Sequence, residues 1–428
     1  MTVGTTTVGT MTVGTRTAGQ RTVLRRQWLL GTAVAALALG AFAASPAALA
    51  DEEKVVTFGA SLSLTGRMAT EGRLVKDGYD FMVDHINDAG GIPVGEDSYR
   101  VEIVYYDDES DADAAVRLVE RLLVEDEVDF LLGPYSSTTT FPASTVAERY
   151  EVPMVVAHAA ATTIYERDYR YLFATLNTID QYFGNVIDMA AGLDPKPATI
   201  ALLGEDTLAP SLSLEYAAKR AEEHGIEVVY HEVYPTGTMD ISSMMAAIRD
   251  ADPDILLAGG YTADMILLAR QAKEMGVQPE LFGFLLGPTL PGFMEALGAD
   301  AENLVEPVQW SRNMAWVDPV FGWSAEDYAV MFEERFGYEP DYHPPQSSAA
   351  VMVYYHALQE AGTLDRQAVR DAIAATDIMT FYGPVRFDEA GRNVGKGMAV
   401  VQLQGDRPVV VFPTDVAEGE LVYPRLTN

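Results

Sequence analysis

From residue 54 onward, short apolar runs alternate with stretches of helical periodicity, and no other feature of the chain narrows its fold as far. Residues 55–60 read as a strand. Val75, Tyr79, Met82, Val83 and Ile86 then fall at helical spacing, and Gly90-Gly91 ends that helix. Val101, Ile103 and Tyr105 alternate as a strand; 112–124 follows as a helix, 130–132 as a strand, 141–150 as a helix and 154–157 as a strand. A second block repeats the rhythm, with strands at 199–203, 226–230, 254–258 and 281–285 separated by helices at 211–224, 240–251 and 263–275. Such alternation implies an α/β fold of parallel sheets with helices on both faces, and two blocks imply two doubly wound lobes. A third block begins at 307. It carries Trp310, Trp316 and Trp323, a corner at His343-Pro344-Pro345-Gln346, a long helix over 347–361, the segment 382–387 and a turn at 388–391. It reads as returning to the first lobe before crossing to the second.

Ligands of doubly wound sheets bind outside the carboxyl ends of the strands, so loops that follow strands are the ones to inspect. The loop after 130–132 stands out: Gly133-Pro134-Tyr135-Ser136-Ser137-Thr138-Thr139-Thr140. A helix beginning there presents unsatisfied N–H groups and positive potential, and the hydroxyls add donors. This is a seat for a carboxylate; a capped turn without ligand is the alternative.

Residues 1–50 lie outside this pattern. Thr-Val-Gly-Thr recurs at 2–5, 7–10 and 12–15, and Arg21, Arg25 and Arg26 precede an apolar run at 28–49. Ala48-Leu49-Ala50 fits the small-residue rule for signal cleavage after Ala50. The uninterrupted apolar stretch 29–44 is shorter than the roughly 20 residues of a membrane span. An uncleaved anchor is the alternative, and Arg25-Arg26 faintly resembles a twin-arginine signal. Export to the periplasm is therefore expected. The chain has no cysteine, which rules out disulfides and a lipid-anchored cysteine. The four arginines of residues 1–50, with no acid there, leave 25 basic against 63 acidic residues beyond them, a net charge of −38. A surface so acidic repels nucleic acid and anionic membranes, and suggests a salty environment where screening relieves self-repulsion.

Enzyme signatures are missing: no Gly-x-Ser-x-Gly elbow, His-Glu-x-x-His helix or Walker loop occurs. The six histidines are scattered without metal-ligand spacing. Asp107–Asp113 looks like a calcium loop, but Ala112 stands where the turn glycine belongs and Leu118 where the last glutamate belongs. A solvated strand end with helix-capping acids is the better reading. No catalytic residue, metal or cofactor is expected.

Several segments together resemble one family. They are Phe58-Gly59-Ala60-Ser61-Leu62-Ser63-Leu64-Thr65-Gly66 with Glu71-Gly72; Asn87-Asp88-Ala89-Gly90-Gly91-Ile92; Tyr106-Asp107-Asp108-Glu109-Ser110; the 131–140 segment with Phe141-Pro142-Ala143-Ser144; Gly259-Gly260-Tyr261; and Gly383-Pro384-Val385-Arg386-Phe387-Asp388. In order and spacing they resemble the type I periplasmic binding proteins of the leucine/isoleucine/valine-binding kind, over essentially all of 54–428. The resemblance implies two Rossmann-like lobes joined by a three-strand hinge, lobe 1 at 54–175 plus 308–393 and lobe 2 at 176–307 plus 394–428. It also implies a monomer that closes on a small-molecule ligand and delivers it to the permease and ATPase subunits of an inner-membrane ABC importer. A ligand sensor on the same fold and a secreted enzyme are the alternatives.

Carried over residue by residue, Ser137 matches the serine that binds the ligand carboxylate, with Tyr135 and Ser136 beside it. Thr162 is the expected next contact, in a segment that includes Ala160. Tyr261 matches a tyrosine of the second lobe. Glu71 and Arg67 stand at the mouth of the first loop, and Asp206 lies in a loop where lobe 2 also touches ligand. One departure is evident: members that bind α-amino acids supply a glutamate for the ammonium, and here the aligned position is Leu285. Either Glu71, Glu205, Asp206 or Asp264 substitutes, or the ligand has no α-ammonium.

Overall fold

A computed structural model describes residues 53–405 and 407–425; the leader expected at 1–50 lies outside them. The first block forms β1 (Val55–Leu62), α1 (Ala69–Asp88), β2 (Ile92–Val94), β3 (Asp97–Asp107), α2 (Ala112–Val124), β4 (Phe130–Leu132), α3 (Ser137–Arg149), β5 (Met154–Val156) and β6 (Leu172–Ala174). The second forms α4 (Tyr182–Ala191), β7 (Thr199–Glu205), α5 (Leu208–Glu223), β8 (Glu227–Tyr234), α6 (Ser242–Ala251), β9 (Ile255–Gly259), α7 (Thr262–Glu274), β10 (Leu281–Phe284), α8 (Pro291–Leu297) and β11 (Val305–Val308). The remainder is α9 (Ala325–Phe336), α10 (His343–Ala361), α11 (Arg366–Ala374), the hairpin β12 (Asp377–Thr380) and β13 (Gly383–Arg386), then β14 (Ala399–Gln404) and β15 (Arg407–Phe412).

Two large sheets result, in the orders β2-β3-β1-β4-β5-β6 and β15-β14-β11-β10-β9-β7-β8, beside the two-stranded sheet β12-β13. Their parallel cores share one order: β1 lies between β3 and β4, and β7 between β8 and β9. Each sheet therefore has a switch point beside its first strand. From Phe58 to Leu62 every residue of β1 is buried, on both faces of the strand, as covering by helices on both faces requires. The fold is thus α/β with two lobes. The chain passes between the sheets three times, after β6, after β11 and before β14. Between the second and third passages α10 packs on the first sheet, where Tyr354 Oη donates to the carbonyls of Leu131 (2.7 Å) and Pro153 (2.8 Å).

Three local expectations shift. Helix α3 begins at Ser137, four residues before the expected 141, because first-turn N–H groups lack helical acceptors and tolerate hydroxyl neighbours. Helix α10 begins at His343, since Pro344 and Pro345 occupy a first turn where their missing N–H groups leave no helical bond unmade. The acids at 107–113 are less solvated than expected. Asp111 does cap α2, accepting from Ala114 N–H at 2.7 Å, but Asp108 is fully buried. Ser63 Oγ (2.7 Å), Ser110 N–H (2.9 Å) and Ser61 Oγ (3.3 Å) satisfy its carboxylate.

Candidate functional site

The carboxyl ends of the two sheets face one cleft, with about 490 Å³ of empty space, mouth included. The first lobe lines it with Tyr135–Ser137 after β4 and with His158 and Ala160 after β5. The second lobe contributes Ala209 and Pro210 at the start of α5, Gly260 and Tyr261 after β9, and Leu285 and Leu286 after β10. Leu176, Ile179, Tyr182, Tyr342, His343 and Gln346 complete the wall. Of the residues expected from sequence, Tyr135, Ser136, Ser137, Ala160, Tyr261 and Leu285 meet here.

The turn into α3 is shaped for approach. A Cβ on Gly133 would come within 2.9 Å of Val156 Cα, so the chain can cross β5 there only as glycine. Ser136 holds φ +80° and ψ 152°, a region that costs a non-glycine residue about 1–3 kcal/mol. Its N–H donates to His158 O (3.0 Å) and its Oγ accepts from Thr139 N–H (3.4 Å). Ser137 Oγ accepts from Ala161 N–H at 3.0 Å and is buried at the helix start. Among the described residues that is its one hydrogen bond, which leaves its proton to give.

Beyond the turn lies a buried polar wall that sequence reasoning missed. His343 Nδ1 faces Asp341 Oδ2 at 2.5 Å, and its Nε2 stands 3.5 Å from Tyr135 Oη. His158 stacks on His343 at 5.0 Å and meets Ser347 Oγ (2.8 Å) and Gln346 Nε2 (3.0 Å). Burial, then the neighbouring His343, pushes the His158 pKa well below the ordinary imidazole value and keeps it neutral. His158 follows a strand, and Tyr342-His343 precede a proline pair at a helix start; these were the available signals.

The wall runs on into the lobe crossings. Tyr382 Oη reaches Gln346 Oε1 (2.8 Å) and Gln309 Oε1 (3.1 Å), and Gln309 Nε2 donates to Tyr182 Oη (2.9 Å). Asn177, Gln309 and Lys396, one from each crossing, interlock: Asn177 N–H donates to Gln309 Oε1 (3.2 Å), Asn177 Nδ2 to Lys396 O (2.8 Å) and Lys396 Nζ to Gln309 O (2.5 Å). Burial lowers the Lys396 pKa well below the usual lysine value, and its Nζ lies over the Tyr382 ring.

Arg67 and Glu71 bridge the lobes near the cleft without lining it. Arg67 pairs with Glu205 and, at 3.2 Å, with Asp264, and its guanidinium lies 5.1 Å from the Tyr261 ring centre. Burial opposes the charge on Arg67, but these acids outweigh it and raise its pKa. Burial and then Glu205 raise the Asp264 pKa. Glu71 Oε1 accepts from Thr262 Oγ1 (2.6 Å) and N–H (3.3 Å). Thr162 also lies off the cleft wall, its hydroxyl 2.9 Å from Tyr216 Oη, and Asp206 is exposed. Among the described residues no cluster of His, Cys, Asp and Glu could hold a metal ion, and no helix is long and apolar enough to cross a membrane.

Residues 55–408 match the model of a family described as periplasmic binding protein. A Leu/Ile/Val-binding protein homolog of Brucella abortus is 26% identical over 393 residues, covering 89% of this chain and 94% of that protein. Among solved structures, the leucine-binding protein LivK of Thermotoga maritima superimposes with a TM-score of 0.75 at 20% identity, covering 83% of this chain and 97% of that one. A solute-binding protein of an ABC transporter from Rhodopseudomonas palustris, in complex with 3,4-dihydroxybenzoic acid, gives 0.74 at 19% identity, covering 87% and 99%.

Proposed function

That the chain belongs to the periplasmic binding protein family is the premise from which we propose that it captures an amino acid or a related small carboxylate or amide, as the solute-binding component of an ATP-driven importer. The cleft carries this reading: both lobes build its walls, and the buried Ser137 hydroxyl keeps a proton to donate at the start of α3. Relatives described as binding leucine, isoleucine and valine, or dihydroxybenzoic acid, support a small acid as ligand. Ser137 and the N–H groups beside it receive the carboxylate. Ala160, Tyr261 and Leu285 flank the body of the ligand, and Arg67 and Glu71 fasten the mouth.

Lobe 1 comprises 54–175 and 308–393, and lobe 2 comprises 176–307 and 394–428, a division supported by the three crossings. Closure draws its energy from contacts made only when the lobes meet. The protein is exported, cleaved after Ala50, and works in the periplasm as a monomer with inner-membrane permease and ATPase subunits. A thermal-shift screen of amino acids, aliphatic and aromatic acids, amides and ureas tests the reading. Millimolar ligand over micromolar affinity stabilises by about 4 kcal/mol. A screen in which no small solute raises the melting temperature would overturn it.

A further inference from the structure

An α-amino acid brings an ammonium into the cleft as well as a carboxylate. Once desolvated, that ammonium needs a counter-charge or a strong set of acceptors. Among the described residues that line the cleft, none is an aspartate or glutamate; the second-lobe wall presents Leu285 and Leu286. Glu71, Glu205, Asp206, Asp264 and Asp341 are engaged elsewhere or turned to solvent, while Asp180 Oδ1 and Glu306 Oε1, buried without a hydrogen-bond partner among the described residues, belong to residues that do not line the cleft. Glu71 is held by Thr262, Glu205 and Asp264 by Arg67, and Asp341 by the His343 ring and N–H, while Asp206 faces solvent. Glu306 is buried within β11 and does not line the cleft.

Two of the four tyrosine rings on the wall are engaged as well. The Tyr261 ring lies under the Arg67 guanidinium, and the Tyr342 ring stacks on His343 at 4.3 Å. An aromatic cage for a cation would need those faces free. What the cleft does offer is hydroxyl and imidazole groups. The Tyr182 hydroxyl accepts from Gln309 and so keeps its proton, and His343 Nε2 and Tyr135 Oη lie together. Such groups bond a neutral hydroxyl or keto group; they do not neutralise a cation.

We infer that the solute is a carboxylic acid without an α-ammonium, with an aromatic or branched aliphatic body. Its carboxylate sits against Ser137 and the start of α3, and its body lies between Tyr135, Tyr182 and the two leucines. This rests on the solute-capture reading above and narrows it. The test is calorimetry on the purified protein with matched pairs: leucine against 4-methylpentanoate and 2-hydroxy-4-methylpentanoate, and phenylalanine against 3-phenylpropanoate, with benzoate added.

The acids are expected to bind at least tenfold tighter than the amino acids of the same skeleton, and Ser137→Ala to weaken them. An amino acid that binds tighter than its matched acid overturns the inference and leaves solute capture standing. So does amino-acid binding that disappears in Glu306→Gln, which would reveal Glu306 as a hidden counter-charge. Binding of uncharged solutes alone overturns the carboxylate. Silence toward every small solute overturns the solute-capture reading itself.

Discussion

Replacing Arg67 with glutamine removes the cation that bridges the lobes, and its effect can be worked from exposure. Its partner Glu205 has a fully buried side chain and Asp264 one that is 16% exposed, while Arg67 itself is 31% exposed. Exposed ion pairs contribute about 0–1 kcal/mol, and stripping the partner from a buried one costs about 3–5 kcal/mol. A pair with one end buried and the other partly wet falls between, at about 2 kcal/mol. The loss falls on the arrangement in which the lobes touch, because separating them lets water reach Glu205. A ligand that binds by closing the lobes should therefore lose about thirtyfold in affinity, at 1.36 kcal/mol per decade. Calorimetry with any ligand from the solute screen measures this. Arg67→Gln combined with Glu205→Gln should recover part of the loss, since the fully buried charge of Glu205 is then gone and only Asp264 loses its cation. An affinity within twofold of the wild type, in a variant that folds normally, would refute the latch.

Other outcomes follow from single sites. Ser137→Ala should weaken ligand binding by about 1–3 kcal/mol, measured calorimetrically beside the melting temperature because Ala161 N–H also loses its acceptor. Burial pushes Glu306 up to about 8 from 4.5, so the folded protein keeps a proton the unfolded chain releases. Stability should fall as pH rises between those values, and Glu306→Gln should flatten the slope in denaturant unfolding at pH 5 and 8. Gly78→Ala would place a Cβ 2.4 Å from Pro344 O and 2.6 Å from Pro344 Cα, forcing α1 from α10 and costing about 1–3 kcal/mol in a melting experiment. The melting temperature should rise from low to molar salt as screening relieves the acidic surface; a flat response would contradict that account.

Much of this was legible from local pattern. The strand at Phe130–Leu132 and the helix at Ala112–Val124 have the limits that periodicity predicts, because each carries its own apolar spacing and end signals. Ser137 stood out because a Gly-Pro turn followed by hydroxyls is a contiguous signal. His158, His343 and Tyr182 carry no such mark. Only the proline pair after His343 sets their neighbours in the chain apart, and the three meet only because β5, α10 and the first crossing converge on one cleft. The interlock of Asn177, Gln309 and Lys396 joins residues up to 219 positions apart.

The sequence by itself thus determined the α/β alternation, the paired blocks and the hydroxyl-rich turn after β4, all of which depend on near neighbours in the chain. The tertiary structure decided what surrounds that turn: which acids are already paired, which aromatic faces are covered, and that Leu285 lies on a cleft wall without a carboxylate. The physical reason is range. Periodicity and capping act over a turn or two of backbone, whereas desolvation and charge pairing depend on groups brought together across more than a hundred residues.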